Sequence, residues 1–226
     1  MRRIKPLNNS GVTIIELLVA MTAFSVMILI IGLATMQLGK MYYKGISSAK
    51  TQEVSRDAMA SIFEQAAFTT GNIDYATAKD YGPSSDRIAV QATCIGNTRY
   101  SYVLDRKQNS SLSSGHDSAN KEIKHVLWQD TSDGNCEPVD LTQDAPSADG
   151  KELLGDNMRL SELLIDSPPT SPDIIKIGIG VFYGESDLIE YSGPTPESCK
   201  TGDISSQWCA FSKLSTRAYR RYPRTI

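Results

Sequence analysis

An uninterrupted apolar run near the N-terminus constrains this chain more than any other feature. No charged residue occurs between Leu17 and Gly39. As an α-helix this run covers about 30 Å at about 1.5 Å per residue, which is the thickness of the hydrocarbon core of a bilayer. A core helix of a soluble domain would carry polar residues on one face at every turn, and this run does not. The sequence therefore predicts a membrane-spanning helix.

The rest of the composition limits the classes of function. The 226 residues are enough for one ordinary domain with a full hydrophobic core. The net charge is −3 with mixed signs, so no basic field suggests nucleic-acid binding, and a nucleic-acid partner is not expected.

All four cysteines follow the apolar run, and no two of them have Cys-x-x-Cys spacing. A zinc site is therefore not predicted. An even number of cysteines in an exported domain favours two disulfides. A Cys199–Cys209 bridge would close a short loop and leave Cys94 with Cys136, but four cysteines allow three pairings and the sequence does not choose among them.

The first eleven residues carry Arg2, Arg3 and Lys5 and no acidic residue. Basic residues before an apolar span stay on the cytoplasmic side, so the remainder of the chain is expected to face outward. A secretory signal would have a shorter apolar core, with Ala34 as a cleavage position. A lipoprotein signal would need a cysteine at the end of the run. A plain signal anchor fits the length but leaves Glu16 unexplained.

Glu16 lies between Ile15 and Leu17, inside the apolar sequence. An ionisable group within the hydrocarbon costs about 2.5–3.5 kcal/mol on insertion scales, so it needs a partner. If the chain is cut after Gly11, the α-amine of Val12 lies one helical turn from Glu16, about 6 Å along the axis. The carboxylate also sits in the first turn, where the helix dipole favours a negative charge. A charge tolerated at the membrane interface is the alternative interpretation.

The segment from Gly11 to Leu17, followed by Leu18-Val19-Ala20, resembles the class III leader and cleavage site of type IV prepilins and type II secretion pseudopilins. The resemblance implies that a prepilin peptidase cuts after Gly11 and methylates Val12, which stands where phenylalanine is commonest. It also implies that Glu16 of an incoming subunit neutralises the terminal amine of a neighbour within the membrane. The implied partners are the prepilin peptidase, other minor and major pilin or pseudopilin subunits, and the inner-membrane assembly platform.

The expected fold class is α+β, with a long N-terminal helix packed on an antiparallel β-sheet, as in pilins. One helix is predicted from about Val12 to Phe68. The second half of this helix carries an apolar stripe, and its other side chains, including Ser55, are predicted to face solvent. The glycines of the helix are predicted points of bending or local melting. The stripe consists of Met59, Ile62, Phe63 and Ala66, and the glycines are Gly32, Gly39 and Gly45. The predicted segments are a leader at 1–11, a transmembrane and assembly helix at 12–39, an amphipathic continuation at 40–70 and an exported β-rich domain at 71–226.

Short β-prone runs follow the helix, and turn-rich segments separate them. The predicted strands are Arg87 to Ile95, Arg99 to Arg106, Ile123 to Gln129, Arg159 to Asp166, Ile174 to Tyr183 and about Trp208 to Tyr219. Gly96-Asn97 is predicted as a hairpin turn, and Asn109 to Asn120 and Asp130 to Lys151 as loops.

No catalytic constellation emerges, so neither an enzyme nor a cofactor is expected. Ser47-Ser48-Ala49-Lys50 matches S-x-x-K but lacks the companion motifs, and a solvated helix face explains it better. His116 falls in a predicted loop and His125 in a predicted strand. An acidic segment offers weak calcium candidates without the EF-hand spacing, and a solvated loop is the favoured interpretation. These candidates are Asp130, Asp133, Asn135 and Asp140.

The C-terminus is basic and interleaved with tyrosines, which could contact DNA or anionic polymers, but a polar tail that keeps the end soluble is favoured. Its residues are Arg217, Tyr219, Arg220, Arg221, Tyr222 and Arg224.

The late strands resemble those of the J-type pseudopilin and W-type minor pilin group, and the predicted helix contains no proline, unlike many major pilins. These features predict a minor subunit in the inner membrane, with its domain outside the cytoplasm, that initiates or caps a pilus or pseudopilus. A tip-located binding module and a membrane-anchored sensor or enzyme are the alternatives.

Overall fold

The computed structural model contains one long helix followed by antiparallel strands. It describes residues 13–82, 87–108, 122–168, 173–193, 195–201 and 207–221. The helix, α1, runs from Ile14 to Phe68 without interruption. The helix is not melted locally at Gly32, Gly39 or Gly45, since it continues through all three. The chain divides into two compact units, Met1–Tyr42 and Tyr43–Ile226, which are described separately.

Eleven strands are found in the described part of the second unit. They are β1 (Ile73–Tyr75), β2 (Lys79–Tyr81), β3 (Ile88–Ile95), β4 (Thr98–Tyr102), β5 (Leu127–Thr131), β6 (Lys151–Glu152), β7 (Met158–Asp166), β8 (Ile174–Tyr183), β9 (Ile189–Ser192), β10 (Thr195–Cys199) and β11 (Ala210–Tyr219).

The strands form three antiparallel sheets. The largest has the order β1-β3-β4-β5-β6, with β2 also paired to β3. A three-stranded sheet has the order β11-β8-β7, and β9 and β10 form a separate pair. The architecture is therefore a long helix with antiparallel sheets, and the predicted α+β class is confirmed.

Strand β8 shows how the sequence pattern creates the core. Alternate residues Ile175, Ile177, Ile179 and Val181 are almost fully buried, because side chains of a strand point alternately to opposite faces. They join a cluster with Met59 and Ile62 of α1. On the opposite face Phe182 is also buried, in a smaller cluster with Leu188, Ile189 and Cys209. Burial on both faces explains why β8 is apolar along most of its length.

The second half of α1 packs through a different face from the one that the sequence predicts. Ile62 and Ala66 are fully buried as expected, but Phe63 is 38% exposed. Ser55, which was expected on the wet surface, is fully buried together with Thr51. The hydroxyl of each donates to the backbone carbonyl four residues earlier, at 2.7 Å, so neither needs water. Small side chains therefore form part of the buried face of α1.

The predicted β3–β4 hairpin is confirmed. Ile95 pairs with Thr98, which leaves Gly96 and Asn97 as a two-residue turn. Gly96 has a φ of 60°, a conformation that favours glycine. It also lies against Gly71, where an added Cβ would be 2.6 Å from the Cα of Gly96. The end of α1 can approach this turn only because both positions lack a side chain.

Strand boundaries differ most where the chain has little apolar alternation. The third predicted strand is displaced, since β5 begins at Leu127 rather than Ile123 and continues to Thr131. Strands β1, β2, β6, β9 and β10 were not predicted, because each is five residues or shorter and the runs carry no clear period of two. The segment from Asp130 to Lys151 is mainly a loop, as expected. The loop predicted from Asn109 to Asn120 lies outside the described residues.

Both disulfides lie in the second unit. Cys94 pairs with Cys136 and Cys199 with Cys209, each with Cα atoms 5.8 Å apart. The first bridge joins β3 of the large sheet to the loop after β5, and the second joins the end of β10 to the residue before β11. The structure therefore selects one of the three pairings that the sequence allows.

Candidate assembly site

The first half of α1 offers its apolar side chains outward. Every described residue from Thr13 to Ile31 is exposed. Among the large side chains of this part, the least exposed, Ile28, is still 53% accessible. The helix is long and apolar enough to cross a bilayer, and the other described residues bury none of its most apolar stretch. Such a surface needs a cover of lipid or other apolar helices.

The few polar side chains in this half are satisfied by the helix itself. Thr22 donates to the carbonyl of Val19 at 2.9 Å, and Ser25 donates to that of Met21 at 2.8 Å. Thr35 does the same with Gly32. Hydroxyls bonded to their own backbone carry a smaller cost in hydrocarbon, because no donor is left without an acceptor.

Glu16 takes part in a reciprocal cap at the start of α1. The backbone N–H and the hydroxyl of Thr13 both lie 3.1 Å from Oε2 of Glu16, and the N–H of Glu16 donates to Oγ1 of Thr13 at 3.3 Å. This is the geometry of a capping box, in which two free N–H groups of the first turn gain partners. Sequence reasoning missed it, although Thr13-x-x-Glu16 is the pattern that predicts it.

The cap gives the Glu16 carboxylate a local partner in the uncleaved chain. Gly11 and Val12, the predicted cleavage pair, lie outside the described residues, so the helix start at Ile14 is the nearest described point to the amine that cleavage would create. Glu16 is the acidic residue of the first turn. The carboxylate of Glu16 therefore lies at the N-terminal end of α1, the end at which cleavage after Gly11 would create a terminal amine.

The comparisons with known proteins bear on this same segment. Residues 6–32 match the family model described as the prokaryotic N-terminal methylation motif. The N-terminus is therefore similar to those of type IV pilins and pseudopilins. Together with the long apolar helix, this motif supports a membrane-anchored, pilin-like protein. Comparison with curated proteins and with solved structures found no match.

The S-x-x-K candidate does not have the surroundings that were expected. Ser47 is 8% exposed rather than on a solvated face, because it belongs to the buried side of α1. Its hydroxyl donates to the carbonyl of Lys44 at 3.1 Å. Lys50 is exposed. The serine is therefore a packing residue of the pilin-like domain, bonded to the turn before it.

His125 was expected in a strand but lies in the segment just before β5. Its ring packs on Trp128 with centroids 4.2 Å apart. Nδ1 lies 3.3 Å from Oε2 of Glu152, and Nε2 lies 3.2 Å from the carbonyl of Asp144. Burial lowers the pKa of His125, but the Glu152 carboxylate and Asp144 outweigh it, so the pKa is raised above its usual value.

Glu152 has a structural role beside this histidine. Its Oε2 accepts the N–H of Val126, and its Oε1 accepts those of Leu127 and Leu154. These bonds define the direction of the carboxylate, so its contact with Nδ1 is not a well-aligned hydrogen bond and becomes an ion pair when the ring is protonated. The group ties β5 to β6. His116 lies outside the described residues.

The weak calcium candidates are not gathered around one point. Asp130 is buried and forms a two-pronged pair with Arg99, with oxygen-to-nitrogen distances of 2.9 and 2.6 Å. Asp140 accepts from the backbone and hydroxyl of Thr142. Within the described ranges, no three His, Cys, Asp or Glu side chains are placed to hold a metal. The oxygens of Asp130 and Asp140 serve local structure instead.

The basic C-terminus differs from a simple polar tail. Arg220 is 8% exposed, and its Nη1 donates to the carbonyl of Gly71 at 2.9 Å. The guanidinium of Arg221 lies 4.6 Å from the ring centroid of Phe68, and the backbone N–H of Arg221 donates to the carbonyl of Ala67. These two arginines fix the chain after β11 to the end of α1. Arg217 is exposed on β11, and Tyr222 and Arg224 lie outside the described residues.

Proposed function

We propose that this protein is a minor pilin or pseudopilin subunit that helps to initiate or cap a type IV pilus or a type II secretion pseudopilus. In this proposal the prepilin peptidase removes Met1 to Gly11 and methylates Val12. The chain then enters a filament through α1, by way of the inner-membrane assembly platform and neighbouring pilin-like subunits. The methylation motif at residues 6–32 is the observation that carries the proposal.

The design of α1 supports an assembly role. Its first half exposes a continuous apolar surface with internally bonded hydroxyls, which suits both lipid and a bundle of similar helices. Glu16 is the only charged residue between Lys5 and Lys40. In the proposed step, Glu16 exchanges its bonds with Thr13 for the terminal amine of a neighbouring subunit. That exchange pairs two charges that would be costly apart.

A role as an end subunit rests on the domain. The described part of the second unit carries long polar connections, and the helix has no proline between Val12 and Phe68. Such loops hinder close lateral packing repeated around a filament but are tolerated at its end. We therefore place the protein among the initiating or capping subunits, with the J-type and W-type group as the proposed subfamily. The domain then lies outside the cytoplasm.

The intact mass of the full chain from membranes, with and without prepilin peptidase, tests the proposal. We expect loss of Met1 to Gly11 and a methyl group on Val12 only when the peptidase is present. A Gly11→Val variant should stay uncleaved. A cut near Ala34, or a full-length chain in the presence of active peptidase, would contradict the proposal.

The assembly role has its own test. Glu16→Gln should be cleaved normally but should no longer enter filaments, because it cannot neutralise a neighbouring amine. Glu53→Gln is the matched control, since Glu53 is an exposed carboxylate on the same helix beyond the apolar run. Normal filaments with Glu16→Gln would show that the cap, rather than an intersubunit pair, is the role of Glu16.

Deletion of the whole protein separates the two candidate functions. Loss of filaments on deletion favours a role in initiation, whereas normal filaments that no longer bind DNA, a surface or a secreted substrate favour a tip-located binding module.

A further inference from the structure

A cleft lies between the three-stranded sheet and the β9–β10 pair, on the face of that sheet opposite the main core cluster. Its volume is about 400 Å³, which is within the range of ligand-binding pockets. Every residue that lines it belongs to the second unit. The lining includes an aromatic ring, a proline, two carboxylates, a lysine and a serine, which are Phe211, Pro196, Glu162, Glu197, Lys213 and Ser161.

Gly180 of β8 shapes the sheet side of the cleft. Glu162 of β7 and Lys213 of β11 are its partners on the two neighbouring strands, so their side chains lie on the same face of the sheet. These two side chains form an ion pair across β8, because the glycine between them has no side chain. The charge of Lys213 is therefore already compensated within the protein.

Ser161 is the extra residue of a bulge in β7. Leu160 pairs with Val181 and Glu162 pairs with Gly180, which leaves Ser161 without a partner on β8. An added Cβ at Gly180 would lie 2.2 Å from Oγ of Ser161. The hydroxyl thus occupies the space that a side chain on β8 would need, and the bulge and the glycine together bring it to the cleft.

The hydroxyl of Ser161 is buried without a protein partner. Ser161 is 6% exposed and lines the cleft, and its side chain forms no hydrogen bond with any residue that the structure describes. Buried polar groups in proteins are nearly always bonded to protein, water or ligand. This hydroxyl is therefore available to a group that enters the cleft.

The charges of the cleft favour a cation. Glu197 is exposed and has no ion pair within the described ranges, whereas Glu162 is paired with Lys213. Two carboxylates therefore accompany one ammonium group, and the lining keeps one negative charge in excess. Acceptors on both β7 and β10 suit the three divergent donors of a second ammonium better than the planar fork of a guanidinium.

The apolar part of the lining suits a chain of methylene groups. Phe211 is half-buried and stacks on Phe182, with ring centroids 4.2 Å apart and planes inclined by 18°. Pro196 is buried beside them in the lining. Long cationic side chains pack their stems on such surfaces while the charged end stays with polar partners, and an aromatic face attracts a cation. A lysine side chain combines both properties.

We propose that this cleft binds a lysine side chain presented by a partner polypeptide, with the ammonium group among Ser161, Glu162 and Glu197 and the stem against Phe211. One excess negative charge matches one ammonium, whereas a free diamine would bring a second charge without a partner. The inference goes beyond the proposed function and does not depend on it, because neither cleavage nor filament entry involves these residues.

Peptide binding to the full-length chain in detergent micelles tests the proposal. The probe is acetyl-Gly-Lys-Gly-amide, and the same peptide with an acetylated lysine keeps the stem but lacks the charge. The backbone amide resonance of Gly180 reports binding in ¹H–¹⁵N NMR spectra, and that of Gly134, which is exposed and outside the cleft lining, is the reference. We expect a saturable shift of the Gly180 resonance with the lysine peptide and none with the acetylated one.

Two variants locate the ammonium group. Ser161→Ala should weaken binding about tenfold and Glu197→Gln about threefold, because a buried hydroxyl bonded to a charged group contributes more than an exposed carboxylate. Glu190→Gln is the matched control, since Glu190 is an exposed carboxylate of the same strand pair outside the cleft lining, and it should leave the affinity unchanged. None of these changes adds a heavy atom, so the fold should be retained, and the Gly134 resonance checks this.

Three outcomes would overturn the inference. The first is a Gly180 resonance that does not shift, or that shifts equally with the acetylated peptide. The second is unchanged affinity in both Ser161→Ala and Glu197→Gln, which would place the ammonium elsewhere. The third is tighter binding of cadaverine than of the peptide, which would assign the cleft to a free diamine rather than to a polypeptide. All three leave the mass and filament tests of the proposed function unaffected.

Discussion

Both halves of α1 contain a serine whose hydroxyl bonds to a backbone carbonyl of the same helix, but the surroundings of the two serines differ. Ser25 in the first half and Ser55 in the second each donate to the carbonyl four residues earlier, at 2.8 and 2.7 Å. Ser25 is surrounded by exposed apolar side chains, whereas Ser55 is fully buried beneath the β-rich domain. A hydroxyl that is satisfied within its own helix needs no water, so it is tolerated in lipid and in a protein core alike.

The two halves differ in the surroundings that remove their apolar side chains from water. The first half has large side chains that the described protein leaves open, so its stabilisation must come from a membrane or from other helices. The second half has small side chains along its buried face, and its cover is already present in the domain. Of the two halves of α1, only the second should therefore contribute to the stability of the domain. Two of the four predictions below compare the halves directly, and the other two concern the domain that covers the second half.

The largest effect should come from the long disulfide of the domain. Replacing Cys94 and Cys136 together with alanine should lower the free energy of unfolding by about 4 kcal/mol, because their bridge spans a sequence separation of 42. Replacing Cys199 and Cys209 should cost about 3 kcal/mol for a separation of 10. Urea unfolding in detergent micelles, followed through Trp128, measures both. Equal losses would show that chain entropy does not set the order.

Truncation of one isoleucine in each half compares their cores directly. Ile62→Ala should destabilise the domain by about 2–5 kcal/mol, because Ile62 is fully buried and its loss leaves a cavity. Ile30→Ala should leave domain unfolding unchanged, because Ile30 is 61% exposed. The same urea titration serves both variants. A destabilised domain in Ile30→Ala would contradict the division of α1.

Enlargement of the paired serines should have opposite consequences. Ser55→Leu should lower the free energy of unfolding by about 1–3 kcal/mol, because Ser55 is fully buried and leucine has two more side-chain heavy atoms than serine. Ser25→Leu should not change that free energy and should favour partition into vesicles, since it replaces a hydroxyl with an apolar side chain. Vesicle flotation and domain unfolding, measured on both variants, separate the two effects.

The smallest effect concerns pH. The folded-state pKa of His125 is raised, so the protonated ring stabilises the fold. This contribution is complete below the unfolded pKa of about 6.5 and is lost as pH rises through the higher folded value. His125→Gln should remove that slope from a plot of unfolding free energy against pH. A slope of the opposite sign in the wild type would show that burial outweighs Glu152.

The sequence predicted the long helix and the longer strands and missed the short strands held by pairing alone. Helix α1 and strand β8 follow from apolar spacing, and β8 was predicted with its observed ends, whereas β3, β4, β7 and β11 were predicted as β-prone runs with different ends. Strand β6, with two residues, exists because Trp128 and Gln129 of β5 offer it a partner. No local sequence pattern predicts such a strand, since its hydrogen bonds depend on residues far away in the sequence.

The candidate site divides in the same way. The apolar run, Glu16 and the methylation motif are contiguous in the first 40 residues, so local sequence was sufficient to find them. The contacts of Arg220 with Gly71 and of Trp208 with Tyr43 join residues that lie far apart in the chain. Composition suggested that the C-terminal arginines form a polar tail, but tertiary packing buries Arg220.

By itself, the sequence determined that this protein carries a pilin-like methylation motif on a helix long and apolar enough to cross a membrane, because length, apolarity and the position of Glu16 are properties of a single continuous segment. Only the tertiary structure decided which cysteines pair, which face of α1 is covered, and that the far end of the sequence places an aromatic side chain beside Tyr43. The physical reason is range: helix formation and membrane insertion depend on neighbours within a few turns, whereas burial depends on residues that the fold alone brings together.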